Sequence, residues 1–460
     1  MKWEKLYLKI SLGGDVMKIL VLSWEYPPKV IGGLARAVAN LSEALAARGH
    51  DVRVISGDYP NGETVEIREN VRVDRVNSHH PQPLNFLDSV FYFNFQVIER
   101  AMKFLAEGWE WDVIHAHDWL VGHAAKVLKH GVQKPMIATI HATEWGRNSG
   151  LHNDLQRHIS DVEWWLTYEA YAVICCSFYM CSELQRIFQV PQDKLFVIPN
   201  GVKTEEFNTV VADLLGFRSK YAHPDEKIVY YVGRLVFEKG VHVLLDAIPK
   251  VLARIPNTRF VIAGKGPNEK ELHHCATKMG LTSRVHFTGF IDDIVRNSLY
   301  RIADCAVFPS LYEPFGIVAL EAMAAGTPVV VSDIGGFAEI IQHGKNGLTT
   351  YAGNSQSLAD NITAMLQAPV LAQKLREQAY EDVIIKYQWS KIAEITEQIF
   401  NHIFSKSETL DERDMTRRMT TTIRYDRYQE TGGDYLNQMI AKTEESLGGS
   451  RDESSNNGWW

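Results

Sequence analysis

Glu313-Pro314-Phe315-Gly316-Ile317-Val318-Ala319-Leu320-Glu321 reads as a loop that turns into a helix. Pro314 and Gly316 disfavour helix around Glu313, whereas Val318-Ala319-Leu320-Glu321-Ala322-Met323-Ala324-Ala325 has strong helix propensity. The free N–H groups after Phe315 and Gly316, together with the positive end of the helix dipole, would then face an anion beside Glu313. An anion next to a carboxylate suggests a phosphorylated sugar. The alternative is a turn glutamate in water and a second glutamate on a solvated helix face, where most carboxylates lie.

The same order of strand, loop and helix repeats outward in both directions. Apolar runs at 227–232, 259–263, 285–287, 306–308 and 328–332 are separated by amphipathic stretches and end in Gly233-Arg234, Gly264, Pro309-Ser310 and Gly335-Gly336. Toward the N-terminus, runs at 19–23, 52–55, 71–73, 113–116, 136–141, 173–177 and 195–198 predict strands, and 34–48, 84–107 and 161–171 predict helices. Such alternation predicts an α/β protein with two doubly wound parallel sheets, each binding ligands beyond the C-terminal ends of its strands. We expect an extension at 1–16, a first Rossmann-like domain at 17–203 and a second at 204–386. A helix at 387–404 follows, then a polar tail at 405–460 that is expected to be disordered and without chemistry.

Composition narrows the function. The 460 residues are 45% hydrophobic and 23% charged, which suits two ordinary cores. A net charge of −8 supplies no general field for nucleic acid or an anionic membrane. The five cysteines, Cys175, Cys176, Cys181, Cys275 and Cys305, show no metal-ligand spacing and read as reduced, buried thiols. No run reaches the roughly 18 apolar residues of a membrane span. Lys2, Glu4, Lys5 and Lys9 interrupt any signal-peptide core, so a cytoplasmic location is expected.

Five motifs in order, with the strand pattern between them, resemble the retaining nucleotide-sugar glycosyltransferases of the GT-B fold. They are Ser23-Trp24-Glu25-Tyr26-Pro27-Pro28 with Gly32-Gly33-Leu34, His115-Ala116-His117-Asp118-Trp119, Ile198-Pro199-Asn200-Gly201-Val202, Gly233-Arg234 with Lys239-Gly240, and Glu313 to Glu321. The chain looks most like the glycogen and starch synthase-like members, over residues 17–404. The resemblance implies two Rossmann-like domains facing across a cleft, the first (17–203) holding the acceptor and the second (204–386) binding the nucleotide sugar, with the C-terminal helix crossing back to the first. It also implies hexose transfer, most simply of glucose from ADP- or UDP-glucose to the nonreducing end of an α-1,4-glucan. In that frame Arg234 and Lys239 grip the leaving diphosphate, where negative charge grows. Gly32 and Gly33 let the first-domain backbone approach the same phosphates. Glu313 lies by the donor-sugar hydroxyls, and Phe315, Gly316 and Ile317 form the helix start beside it. Glu321 holds the ribose, and His141 touches the hexose through its imidazole or backbone carbonyl. Asp118 is placed near the acceptor.

No cofactor or metal is expected, because the cations of the site are side chains and no DxD pair sits at a strand end. Asp292-Asp293 reads as a helix start. His115, His117 and Asp118 could suggest a metal site, but in a strand the two histidines share one face without a third ligand and Asp118 points away. Bacterial glycogen synthases of the type that the chain resembles carry a lysine two residues before the paired glycines, where this chain has Val30 after Lys29. A sugar-phosphate acceptor, as in sucrose-phosphate synthases, a lipid acceptor, and a carbohydrate-binding protein with a dead site remain as alternatives. An epimerase or phosphorylase on the same fold would need other residues, and no G-x-G-x-x-G follows the first strand to support a dehydrogenase. Both retaining mechanisms, front-face transfer and double displacement through Glu313, stay open.

Overall fold

A computed structural model describes residues 16–408 except positions 61, 63 and 80. The expectations for residues 1–15 and 409–460 lie outside the described residues. In the first half the strands are β1 (Lys18–Ser23), β2 (Asp51–Gly57), β3 (Val65–Arg68), β4 (Val71–Val76), β5 (Val113–His117), β6 (Met136–Ile140), β7 (Ala172–Cys175) and β8 (Leu195–Val197). They form one sheet in the order β3-β4-β2-β1-β5-β6-β7-β8, parallel except for the β3–β4 pair. The second half has β9 (Lys227–Val232), β10 (Thr258–Ala263), β11 (Val285–Gly289), β12 (Cys305–Phe308), β13 (Val329–Ser332) and β14 (Leu348–Thr350). Its order is β11-β10-β9-β12-β13-β14, all parallel.

Unbroken apolar runs in the central strands follow from burial on both faces. Ile19, Leu20, Val21 and Leu22 are all inaccessible, as are Val329, Val330 and Val331. Two strands have no counterpart in the expected set. β3 is an antiparallel edge strand whose residues alternate between half-buried and exposed, and β14 is only three residues long. Neither presents an apolar run long enough to register as periodicity. The helix expected at 161–171 begins earlier, at Asp154, where Asn153 accepts the Gln156 N–H as N-cap. The strand expected to reach Ser177 stops at Cys175, and Ser177 caps the helix Phe178–Phe188 instead.

Both sheets reverse direction beside their first strand. In the first half the chain winds from β1 outward through β2 and β4, then returns to β5 on the other side of β1; β9 and β12 stand in the same relation. That reversal opens a crevice beyond the C-terminal ends of the two strands, so the loops after β1, β5, β9 and β12 are where a ligand is expected. Between the halves the chain crosses twice, and the crossings are joined where the Val202 N–H donates to the Tyr387 carbonyl at 2.9 Å. The helix Trp389–Glu408 follows, and its residues up to Phe400 contact the first half. Glu397 pairs with Arg48 at 2.5 Å, and the Phe400 ring stands edge-on to His115.

Candidate active site

The loops after β9 and β12 meet backbone to backbone. Gly240, with φ +67°, ends the turn Phe237–Lys239 and precedes the helix Val241–Leu252, and a Cβ there would overlap the Pro309 carbonyl. This close approach, open only to glycine, brings the Lys239 ammonium to 2.8 Å from Glu313 Oε2, and the Ser310 hydroxyl donates to the same oxygen at 3.2 Å. Glu313 is therefore buried rather than a turn residue in water. Its carbonyl accepts the Gly336 N–H at 2.8 Å, and a Cβ on Gly335 would overlap that carbonyl. Arg234, half-exposed, reaches Glu238 at 3.4 Å and makes no such close pair with Glu313.

Gly316, at φ +109°, opens the eight-residue helix Ile317–Ala324. Glu321 on that helix is also buried, not on a solvated face. Its carboxylate accepts the Tyr300 hydroxyl at 3.1 Å and lies 3.5 Å from Arg296, itself buried. Asp292 caps the helix Asp293–Ile302 as expected, and Asp293 has a further role. It pairs with Arg36 of the first half at 2.5 Å and with Arg296 at 3.1 Å.

On the first-half side, the loop after β1 folds around a carboxylate. Glu25 Oε2 accepts the N–H of Ile31 at 2.7 Å and of Gly32 at 3.2 Å. Burial pushes the Glu25 carboxyl up, while those two N–H groups and the charges of Arg234 and Lys29 act in the opposite direction. The Gly32 N–H is thus already committed, and Gly33 is the glycine at the cleft, where a Cβ would stand 3.0 Å from Ile317 Cδ1. Lys29 turns away to Ser78 Oγ at 2.7 Å, over the Trp24 ring, and burial lowers its ammonium to about 8.

The loops after β5 and β6 hold a histidine cluster. Asp118 is not in extended strand geometry: β5 ends at His117, and Asp118 has φ +58°. Its Oδ1 accepts the His141 N–H at 2.7 Å. On the His117 face His141 joins the two strand histidines, its Nε2 lying 3.1 Å from His117 Nδ1. Strand periodicity could not show this, since His141 comes from the loop after the neighbouring strand. Among the described residues no set of three or more His, Cys, Asp or Glu is arranged to hold a metal ion. The two halves are also stitched together beside the site. Thr143 and Tyr312 both donate to Glu183 Oε1, Ser177 donates to the Pro314 carbonyl at 2.6 Å, and Glu339 accepts the N–H groups of Phe178 and Tyr179.

The chain is similar to known proteins in sequence and fold. The family model described as Glycosyltransferase Family 4 matches residues 31–206, and that described as Glycosyl transferases group 1 matches residues 217–382. A glycogen synthase of Mycobacterium tuberculosis is 36% identical over 401 residues, spanning 84% of this chain and 94% of its own. The chain belongs to the GT-B glycosyltransferases. An uncharacterized glycosyltransferase of Methanocaldococcus jannaschii is 38% identical over 388 residues, 84% of this glycosyltransferase and 98% of that protein. Among solved structures, the sucrose-phosphate synthase of Thermosynechococcus elongatus superposes with a TM-score of 0.74 at 28% identity, over 85% of this chain and 100% of its own.

Within the glycosyltransferase, Lys239 and Glu313 come together as one unit, Gly33 and Ile317 as a second, and His141 and Asp118 as a third. Phe315 packs edge-on against Tyr387 near the crossing between the halves. Sequence reading missed Glu25, although it stands inside a quoted motif, and it missed Tyr312, Glu183, Glu339 and Arg36. Glu25 acts within its own loop, on Ile31 and Gly32, whereas the others act through partners on distant segments, and no local pattern marks them. A cavity of about 580 Å³ between the halves is lined by Arg36, Glu43, Arg68, Lys203, Asp293 and Arg296; Arg36 and Arg296 pair with Asp293, Lys203 pairs with Glu43, and Arg68 donates to the Pro27 carbonyl. None of the expected site residues borders it.

Proposed function

We propose that this glycosyltransferase moves a hexose, glucose in our reading, from ADP- or UDP-glucose to the nonreducing end of an α-1,4-glucan, with retention and without a metal ion. The observation that carries the catalytic reading is the Lys239–Glu313 pair at the switch point of the second sheet, beside the start of the helix Ile317–Ala324. An ammonium has three N–H donors. With one on Glu313, the others can take the leaving diphosphate, helped by Arg234 and the positive end of the helix. The cations that the departing phosphate needs are thus side chains of the protein.

Glu313 is held by an ammonium and a hydroxyl on one oxygen, which weakens it as a nucleophile. This supports front-face transfer. The bond from the anomeric carbon to the phosphate oxygen breaks as the bond to the acceptor oxygen forms on the same face, and the acceptor proton passes to the departing phosphate. Glu313 and His141 orient the hexose, Glu321 holds the ribose, and Asp118 lies toward the acceptor.

The likeness to glycogen synthase over nearly its whole length supports a glucan acceptor. So does Arg147, in the segment after His141, whose guanidinium pairs with Glu144 at 3.6 Å and also feels the charges of Asp118 and Glu163, so that its charge is already engaged by carboxylates. Exposed Phe91 and Phe95 on the helix Phe86–Ala106 favour a lipid acceptor as the second reading. The test follows nucleoside diphosphate release from a panel of nucleotide sugars in excess EDTA, with maltooligosaccharide, fructose-6-phosphate or phospholipid vesicles. Release that requires maltooligosaccharide and lengthens it supports the glucan reading. Release that depends on the sugar phosphate or the lipid overturns it, and strict dependence on added Mg²⁺ or Mn²⁺ overturns the metal-free one.

A further inference from the structure

We propose that His117 is a positioning residue for His141, fixing the orientation and the tautomer of the imidazole beside the donor hexose; this rests on the placement of His141 in the proposed reaction. β5 and β6 are parallel neighbours in which His115 pairs with Ile137 and His117 with Thr139. His141 follows β6 directly, so the last side chain of β5 reaches across the ladder to it. His117 Nδ1 lies 3.1 Å from His141 Nε2, with the two rings inclined by only 26°. The next residue, Asp118, accepts the His141 backbone N–H at 2.7 Å. Consecutive residues of one strand end therefore hold both the backbone and the ring of His141.

His117 is itself fixed from behind. It is buried, its ring lies 4.1 Å from that of His115, and His115 Nε2 is 2.7 Å from Thr139 Oγ1. Burial keeps all three imidazoles neutral at pH 7. Between two neutral rings one nitrogen donates and the other accepts, so a single proton sits in the His117–His141 bond. That bond occupies His141 Nε2 and leaves Nδ1 as the ring nitrogen that can face the hexose. A histidine without this neighbour could flip its ring and exchange tautomers, presenting the wrong nitrogen or the wrong proton to the sugar.

The test compares the wild type with H117F, which keeps a ring of similar bulk without hydrogen bonds, and H117N, whose side-chain amide stands near the place of Nδ1. Initial rates with the donor and acceptor that support turnover should show kcat falling roughly 10- to 100-fold in H117F, with KM for the donor little changed. H117N should recover most of that loss. Long-range ¹H–¹⁵N spectra of histidine-labelled protein should show a single His141 tautomer in the wild type and a mixture in H117F. In the wild type, one and only one of His117 Nδ1 and His141 Nε2 should carry a proton; two protons or none would overturn the proposal without any variant. An unchanged kcat and a single His141 tautomer in H117F would also overturn it, provided that H141A loses activity. A fully active H141A would instead remove His141 from the reaction. Should H117F fail to fold, H117A takes its place in both measurements.

Discussion

The ammonium of Lys239 stands 2.8 Å from the carboxylate of Glu313, 74 residues further along the chain. The pair exists because Gly240 lets the loop after β9 lie against Pro309. Replacing Lys239 with Ala leaves Glu313 without its counter-ion and, in the proposed reaction, removes one cation from the departing diphosphate. We expect kcat to fall roughly 10²- to 10³-fold, as for one lost transition-state contact of about 3–4 kcal/mol. Arg234→Ala should cost a similar factor. Steady-state rates at saturating donor check both, and an unchanged rate would remove the residue from the mechanism.

Glu25 closes the loop that leads to Gly33 by accepting two backbone N–H groups. Glu25→Ala leaves both donors without their acceptor, at a cost of about 1–3 kcal/mol each where water does not replace it. The donor KM should rise with it. Glu25→Gln keeps a carbonyl oxygen in place and should retain most of the stability. Denaturant unfolding and donor titration together check this; equal losses in both variants would show that the charge matters and the hydrogen bonds do not.

Gly335 has φ +54°, and a Cβ on it would overlap the Glu313 carbonyl. Gly344 has φ +73° with open space around it. Alanine at either position should cost about 1–2 kcal/mol for the left-handed backbone. Only Gly335→Ala should also displace the Glu313 loop and lower kcat. Thermal unfolding and turnover of the two variants separate backbone strain from damage to the site, and equal activity would show that the loop tolerates the shift.

Burial lowers His115 from 6.5 to about 3, and His117 and His141 move in the same direction. As pH falls below about 6.5 the unfolded chain takes up protons that the native protein refuses, so stability declines from there toward pH 3. His115→Leu should flatten this decline. Unfolding free energies measured between pH 8 and pH 4 check it, and a slope unchanged by the substitution would assign the acid sensitivity elsewhere.

The segment beyond residue 386 supplies the Tyr387 carbonyl to Val202 and the Glu397 carboxylate to Arg48. A chain ending at residue 386 should be inactive, whereas one ending at residue 404 should keep most of its activity. Comparing turnover of the two proteins decides the matter; equal loss would make the last part of the chain a working part of the enzyme.

The alternation of strands and helices was legible because each buried parallel strand must be apolar on both faces and each covering helix on one. The run 227–232 agrees residue for residue with β9. β3 and β14 were not legible, the first because an exposed edge needs no apolar run, the second because three residues set up no period. The site divides in the same way. Glu313 and Glu321 stand in a loop and a helix that local propensity marks, and the motif order of the family resemblance made Arg234 and Lys239 candidates. That Glu313 and Glu321 are buried, that Gly32 is already engaged by Glu25, and that His117 grips His141 could not be read in this way. The Glu25 bond depends on how the loop after β1 folds, whereas the histidine contact and the Lys239–Glu313 pair depend on strand order, which places residues 24 and 74 positions apart within hydrogen-bond reach. A contact of that kind is a property of the assembled backbone, and neither partner's neighbours in the sequence carry any trace of it.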